Sequence, residues 1–267
     1  MIVRAAKMDT VGRRLQPIFN FLITLVVWTY FTAGFVLLFS PFYLWAGIFS
    51  KNHERAFQRL NSRFYRGFFL LVRRLMPGHR WYIQPEVKEI RSSVIVCNHR
   101  SYLDSILLIS LYEKHNTIVK SRLLDIPFFG RMLQWSGYIP SSSEGRFAEM
   151  MIQRLEKMDA FLADGGNLIV FPEGTRSPNG SLGRFNKGAF KIARRCRAPI
   201  EVLFIRNTDR MFRRGSFSFD TRGPNTIRLE RVGSIDAAAE CETGSLSHVM
   251  AKVREMLELK NDGGGDA

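Results

Sequence analysis

Two short segments carry residue types that can do chemistry: Asn98-His99-Arg100-Ser101-Tyr102-Leu103-Asp104 and, further along, Phe171-Pro172-Glu173-Gly174-Thr175-Arg176-Ser177. The first offers an imidazole with a carboxylate close behind it. A carboxylate that accepts from one ring nitrogen fixes the tautomer and leaves the other nitrogen free to take a proton from an alcohol. On one ideal helix, residues five apart stand about 140° apart and cannot meet. His99 is therefore expected in a turn ahead of the helix that carries Asp104. Ser101 is a good N-cap with Asp104 at the third helical position, so the same carboxylate also reads as half of a capping box. The second segment offers Gly174, whose amide can approach a ligand closely, and Arg176, suited to bidentate phosphate contact. Alone, such a loop is also what a solvated surface turn looks like; beside the histidine segment it reads as an anion clamp next to a base. No serine or cysteine nucleophile is marked. The nearest approach to a Gly-x-Ser-x-Gly elbow, Asn179-Gly180-Ser181-Leu182-Gly183, lacks the first glycine, so the acceptor's own hydroxyl is the expected nucleophile.

Each segment follows a short apolar run, 94–97 and 168–171, which places both in loops at the carboxyl edge of one sheet. After Pro77-Gly78 the chain alternates short apolar runs with helical patterns. Strands are expected over 81–84, 94–97, 117–120, 167–171, 200–205 and 226–232, and helices over 101–114, 128–135, 146–163, 187–197 and 244–260. This alternation predicts an α/β domain over 77–260, with a mixed, largely parallel sheet flanked by helices. A helical membrane anchor is expected over 1–76, and 261–267, with its Gly263-Gly264-Gly265, as a disordered tail.

Together the two segments resemble the first and third blocks of the glycerolipid acyltransferase family whose best-known member acylates 1-acylglycerol-3-phosphate. The resemblance covers residues 83–207. Between the blocks, Lys120 through Pro127, Gly130 and Gly137-Tyr138-Ile139 are similar to the family's second block. Arg184-Phe185-Asn186-Lys187-Gly188-Ala189-Phe190 is similar to the basic helix start that follows the third. The resemblance implies a glycerol-3-phosphate acyltransferase-like fold. It also implies transfer of an acyl chain, from a thioester on coenzyme A or acyl carrier protein, to a lysophospholipid hydroxyl, foremost 1-acyl-sn-glycerol-3-phosphate giving phosphatidic acid. His99 would be the general base and Asp104 its partner; Lys120 and Arg176 would hold the acceptor's phosphate, and Glu173 and Gly174 would shape its site. Asn98, Arg100, Ser101 and Thr175, in the same blocks, are expected against substrate. No metal is implied, and no cofactor besides the thioester co-substrate. The chain departs from the family at Arg122, where a glutamate is usual, at Ser143, where an arginine is usual, and at Val202, where Pro199-Ile200-Glu201-Val202 lacks a second proline. These leave room for a different lipid hydroxyl as acceptor. A membrane-binding scaffold without turnover is the third reading, and the intact His99, Asp104, Glu173 and Arg176 argue against it.

The elements ahead of the domain point to a membrane. Of 267 residues 46% are apolar, and residues 18–49 hold no charge across 32 positions. One straight helix of that length would reach about 48 Å, beyond a hydrocarbon core of about 30 Å. A break is expected at Gly34 or at Ser40-Pro41, giving two shorter helices that dip into one leaflet or form a hairpin. Basic residues flank both ends, so both are expected on the cytoplasmic face under the positive-inside rule, with the catalytic domain there too, at a bacterial inner membrane or its equivalent. A single tilted span is the alternative. A cleaved signal peptide fits less well, because the run is too long and no small-residue cleavage site closes it. Residues 51–76 form a basic amphipathic helix, with Phe57, Leu60, Phe64, Phe68, Leu71 and Leu75 on one face and Arg55, Arg59, Arg63 and Arg66 turned away. It could lie on anionic lipid or pack on the domain with a solvated basic side.

Residues 1–80 carry twelve Lys and Arg against Asp9 and Glu54, +10 of the chain's net +15. That charge borders apolar sequence and no nucleic-acid-binding signature accompanies it, so membrane lipid rather than nucleic acid is the expected partner. Cys97, Cys196 and Cys241 show no paired spacing and read as free thiols. The five histidines are scattered, with no metal-ligand spacing.

Overall fold

The structure is a computed structural model that describes residues 2–142, 145–177, 180–237, 239–240 and 245–262, with side chains from Leu15 onward. Ser143, Cys241 and residues 263–267 of the expected tail lie outside the described residues.

The apolar N-terminal run is helical throughout. Helix α1 (Ile2–Thr29) continues into a π-helical stretch (Tyr30–Phe39) and then into α2 (Ser40–Phe49). The expected reversal at Gly34 or Ser40-Pro41 does not occur. Pro41 is the second residue of α2, directly after the π-helical stretch. The Ser40 N–H reaches back five residues to the Phe35 carbonyl, and this wider π turn admits the proline within a continuing helix. The chain turns back only at residues 50–52, where Ser50 is extended and the Asn52 side chain caps α3 (His53–Leu75) by accepting from the Arg55 N–H at 2.9 Å. Aromatic pairs then run in opposite directions along the two helices, Tyr30 with Phe68, Phe35 with Phe64 and Tyr43 with Phe57, so the helices are antiparallel.

Helix α3 buries Phe57, Phe64 and Phe68 from its expected apolar face, and also Gln58, Asn61 and Ser62, because it is packed on more than one side. Its buried amides are satisfied. Asn61 accepts from the Tyr43 hydroxyl at 2.5 Å and donates to Ser136 Oγ at 2.9 Å and to the Tyr138 hydroxyl at 3.0 Å; Gln58 donates to the Ser136 carbonyl. The arginine face points outward, and Arg66 Nε donates to the Ser110 carbonyl at 2.7 Å.

The strands and further α-helices follow as β1 (His79–Ile83), β2 (Val94–Cys97), α4 (Tyr102–Leu111), β3 (His115–Val119), α5 (Phe129–Trp135), β4 (Ile139–Pro140), α6 (Ala148–Glu156), α7 (Met158–Ala163), β5 (Asn167–Val170), α8 (Gly188–Arg195), β6 (Pro199–Arg206), α9 (Thr208–Met211), β7 (Asn225–Asp236) and α10 (Leu246–Asp262), with short 3-10 turns at Pro85–Glu89, Ser121–Asp125 and Gly145–Phe147. Seven strands form one sheet in the order β1-β7-β6-β2-β5-β3-β4. Every neighbouring pair is parallel except β6 with β7, the mixed, largely parallel arrangement the sequence predicts. The expected helix over 146–163 is interrupted at Lys157, and β4 and α9, two and four residues long, are too short to leave a periodic signal. Helix α10 extends to Asp262, two residues into the expected tail.

Strand alternation divides the core in two. Ile95, Cys97, Ile169, Leu203 and Ile205 join α3, α4 and the N-terminal aromatics on one face of the sheet, while Val94, Val96, Leu168, Val170, Val202 and Phe204 meet α7, α8 and α10 on the other. β2 and β5 are buried throughout, so the loops that leave their carboxyl ends start from a rigid base.

Candidate active site

β2 ends at Cys97, and the Asn98 side chain prolongs its pairing with β6: Oδ1 accepts from the Ile205 N–H at 2.7 Å and Nδ2 donates to the Ile205 carbonyl at 2.9 Å. His99 follows in the turn, and α4 begins at Tyr102 behind a capping box formed by Ser101 and Asp104. The Asp104 carboxylate is fully buried. Its Oδ2 accepts from the Arg100 N–H at 2.6 Å, from the Ser101 N–H at 2.7 Å and stands 3.0 Å from His99 Nδ1; its Oδ1 accepts from the Thr208 hydroxyl at 2.6 Å. Capping and histidine orientation are thus done by the same group. A proton on Nδ1 donates to this carboxylate and leaves Nε2 as the ring's acceptor.

The loop after β5 closes over the same place. The Phe171 and His99 rings stack at 4.1 Å, and the Ser177 N–H donates to the His99 carbonyl at 2.8 Å. Glu173 is buried and ties two turns together, accepting from the His99 N–H at 3.3 Å and from the Gly183 N–H at 2.8 Å. Gly174 has φ +65°, and a Cβ there would stand 3.0 Å from Asn186 Nδ2, so backbone conformation and space both call for glycine. Arg176 lays its guanidinium over the Tyr102 ring, 3.4 Å from the centroid, and its Nη1 is buried with no protein acceptor. A cation held on an aromatic face with a spare donor is arranged to receive an anion.

The structure therefore gathers His99, Asp104, Glu173, Gly174 and Arg176 in two touching loops. Asn98 and Ser101 turn into the fold; the Ser101 hydroxyl donates to the Phe212 carbonyl at 2.8 Å. Arg100 donates to Asn261 Oδ1 at 2.7 Å, which fastens the end of α10 to the histidine turn. Thr175 is exposed. Lys120 is exposed at the end of β3, separated from β2 by β5. Three contributors were not anticipated: Thr208 on Asp104, Phe171 on His99 and Tyr102 under Arg176. The last two lie inside the motif segments, but Thr208 comes from α9, more than a hundred positions away, and no local pattern marks it.

Cys97 borders this site, yet burial, and then the nearby carboxylates of Asp104 and Glu173, push its thiol well above the ordinary range. It is not poised as a thiolate nucleophile. Among the described residues no group of three or more His, Cys, Asp or Glu could hold a metal ion.

The sequence model of the Acyltransferase family matches residues 79–205, the stretch that runs from β1 through β6 and holds all the residues gathered here. A chloroplastic 1-acyl-sn-glycerol-3-phosphate acyltransferase of Brassica napus is 32% identical over 123 residues, 46% of this chain and 35% of that protein. The 1-acyl-sn-glycerol-3-phosphate acyltransferase of Pseudomonas aeruginosa is 28% identical over 136 residues, 50% of this chain and 52% of that one. The chain thus spans about a third to a half of the length of the curated relatives it matches. The crystal structure of the 1-acyl-sn-glycerophosphate acyltransferase of Thermotoga maritima shares the fold, with a TM-score of 0.69 at 21% identity over 92% of this chain and 97% of that one. Over residues 79–205, which hold the strands that position the histidine and arginine loops, the chain is similar to the Acyltransferase family, and its fold is that of the Thermotoga maritima structure.

Proposed function

We propose that this protein transfers a fatty acyl chain from an acyl thioester, on coenzyme A or acyl carrier protein, to the free hydroxyl of 1-acyl-sn-glycerol-3-phosphate, giving phosphatidic acid. The observation that carries the reading is His99 with Nδ1 held 3.0 Å from a buried, fully bonded carboxylate, next to an arginine with an unpartnered donor. In this mechanism His99 Nε2 takes the hydroxyl proton as the oxygen attacks the thioester carbonyl. A carbon–oxygen bond forms, the carbon–sulfur bond breaks, and the proton passes from His99 to the departing thiolate. Asp104 stabilises the transient imidazolium and holds the ring. Arg176 and Lys120 receive the phosphate, Arg176 through a planar fork and Lys120 as a point charge. Glu173 and Gly174 shape the acceptor site by fixing the loop, Glu173 through one backbone N–H on each carboxylate oxygen and Gly174 through its positive φ.

The relatives named above as 1-acyl-sn-glycerol-3-phosphate acyltransferases support this acceptor. The test is a panel of lysolipid acceptors, with and without head groups, given acyl-coenzyme A and acyl carrier protein donors in detergent. Preferred turnover of a head-grouped or phosphate-free acceptor would remove the lysophosphatidate assignment and keep acyl transfer.

The site would work at a membrane. Leu15–Phe49 is one helix of 35 residues, mostly exposed and long and apolar enough to cross a bilayer. Its inner face is nonetheless fastened to the domain along its length. Asn20 accepts from the Thr221 N–H, Thr24 from the Phe219 N–H, and Trp28 Nε1 donates to the Phe217 carbonyl; Tyr30 and Tyr43 bond to α3. A helix so bound cannot stand perpendicular in a bilayer without drawing polar domain surface in with it, at a cost of several kcal/mol per unsatisfied group. These contacts support a helix lying in one leaflet, with both flanks and the catalytic domain on one face. Labelling of single cysteines near Ala5 and near Gly180 from one side only is the expected result; opposite-side labelling would establish a span.

A further inference from the structure

The turn between β3 and α5 has a use that the acyl-transfer site does not absorb. Phe128 at its tip is 90% exposed, the largest exposure among the large apolar residues, and it has a positive φ of 60°. A bulky residue is rarely held in that region, and such strain persists only where the surroundings impose it. Here they do. The Gly130 N–H donates to the Ile126 carbonyl at 2.7 Å and the Met132 N–H to the Phe128 carbonyl at 3.0 Å, while Gln134 Nε2 ties α5 to the Leu124 carbonyl. Any Cβ at Gly130 would strike the Leu124 backbone, so this close turn admits glycine alone. Ile126 and Phe129, on either side, are also exposed, at 45% and 37%.

Two features say what covers this tip. First, it is continuous with the lipid-facing helix: α5 runs from Phe129 to Trp135, whose ring packs on Phe57 and would lie 3.4 Å from a Cβ at Gly47 of α2. Second, its rim is basic. Lys120, Arg122 and Arg131 are exposed around it, and the turn's only acid, Asp125, is paired with Arg146. Exposed aromatics ringed by cations suit the interface of an anionic bilayer, where the rings sink below the headgroups and the cations stay among them.

We propose that the Ile126–Phe129 turn is a second lipid-contacting element, separate from the N-terminal helix, that inserts Phe128 into the membrane interface and so holds Lys120 at the height of the lipid phosphates. The proposal rests on the membrane reading above, and its kinetic arm on the acceptor reading as well.

A nitroxide on Phe128→Cys, in a Cys196→Ser, Cys241→Ser background, should become accessible to oxygen and protected from a water-soluble paramagnetic reagent when the full chain binds vesicles of phosphatidylglycerol and phosphatidylethanolamine. A label that stays water-exposed in bound protein overturns the proposal. In the kinetic arm, Phe128→Asn removes the ring and keeps a residue that tolerates positive φ. Turnover of a vesicle-embedded lysophosphatidate should fall about tenfold, the scale of one lost buried aromatic ring, while turnover of a monomeric short-chain analogue is kept. Equal losses on both acceptors would assign the turn to the acceptor pocket and overturn insertion. Phe128→Trp should restore vesicle activity. Absence of all acyl transfer with a lipid-immersed label would sink the function reading and leave this one standing.

Discussion

The turn after β2 and the turn after β3 leave neighbouring parts of the same sheet edge and are built in opposite ways. From Asn98 to Asp104 the polar side chains are spent inside the protein: Asp104 serves two backbone N–H groups, the Thr208 hydroxyl and His99, and Ser101 and Asn98 bond to backbone. From Lys120 to Phe129 Leu124 is buried as an anchor, while Lys120, Arg122 and the residues from Asp125 to Phe129 are exposed, with cations and a strained aromatic on display. A base must be held to a fraction of an ångström, so its supports are buried and fully bonded. A surface that meets lipid has no fixed partner atoms to match, and exposure serves it better.

The contrast predicts different kinetic signatures. His99→Ala should give the largest effect, a loss of about 10² to 10⁴ in kcat, the usual worth of a general base, with folding and membrane binding retained. Near-normal turnover would break the mechanism. Asp104→Asn should lose nearly as much activity and also stability, since a neutral amide with one acceptor oxygen replaces a buried carboxylate that accepts from two backbone N–H groups and a hydroxyl; unfolding free energy should drop by about 1 to 3 kcal/mol. A variant that unfolds more easily but keeps normal specific activity would leave Asp104 as a cap alone.

On the recognition side, Arg176→Ala should raise acceptor KM about 10- to 100-fold with a smaller change in kcat, the scale of a charged hydrogen bond, and Arg176→Lys should recover part of it. A pure kcat effect would move Arg176 into the chemistry. Thr208→Val sharpens the comparison from the buried side: it strips one bond from Asp104 at constant shape, so kcat should fall by less than in Asp104→Asn while KM holds.

The last test lies away from both turns and is a titration of the interior. His115 is buried, its Nδ1 2.8 Å from the Tyr112 carbonyl and its Nε2 2.7 Å from the Tyr138 hydroxyl, and burial lowers its pKa to about 4. The folded protein keeps this ring neutral, while the unfolded chain takes up the proton near pH 6.5. Its contribution is therefore complete above pH 6.5 and is lost as the pH falls towards 4, by about 3 kcal/mol in all. Melting curves in detergent from pH 7 to 4.5 should show this fall, and His115→Gln should flatten it; parallel curves would place the acid sensitivity elsewhere.

Much of the site was legible because its parts are local. Strand, turn, N-cap and N3 acid are consecutive from Val94 to Asp104, and a capping pattern has the same meaning wherever it occurs. The helix break at Gly34 or Pro41 was misread for a related reason: composition suggests a proline break, but the π register that accommodates Pro41 depends on a backbone bond that no residue type announces. The buried amides of α3 were missed because periodicity ranks residues by polarity, and Gln58 and Asn61 are buried by partners on the 136–138 turn and, for Asn61, on α2.

By itself the sequence determined the α/β class, the sheet-edge address of both motifs, the pairing of His99 with Asp104 and the apolar character of residues 18–49. Each follows from short-range pattern: alternation, capping and a run of uncharged residues. Only the tertiary structure decided that the helix stays unbroken and lies fastened to the domain, that Thr208 completes the Asp104 shell, and that Arg176 rests on Tyr102 while Arg100 is turned away to Asn261. Those choices depend on contacts between residues far apart in the chain. Burial and hydrogen-bond satisfaction there are settled by which surfaces meet, and that is a property of the packed molecule.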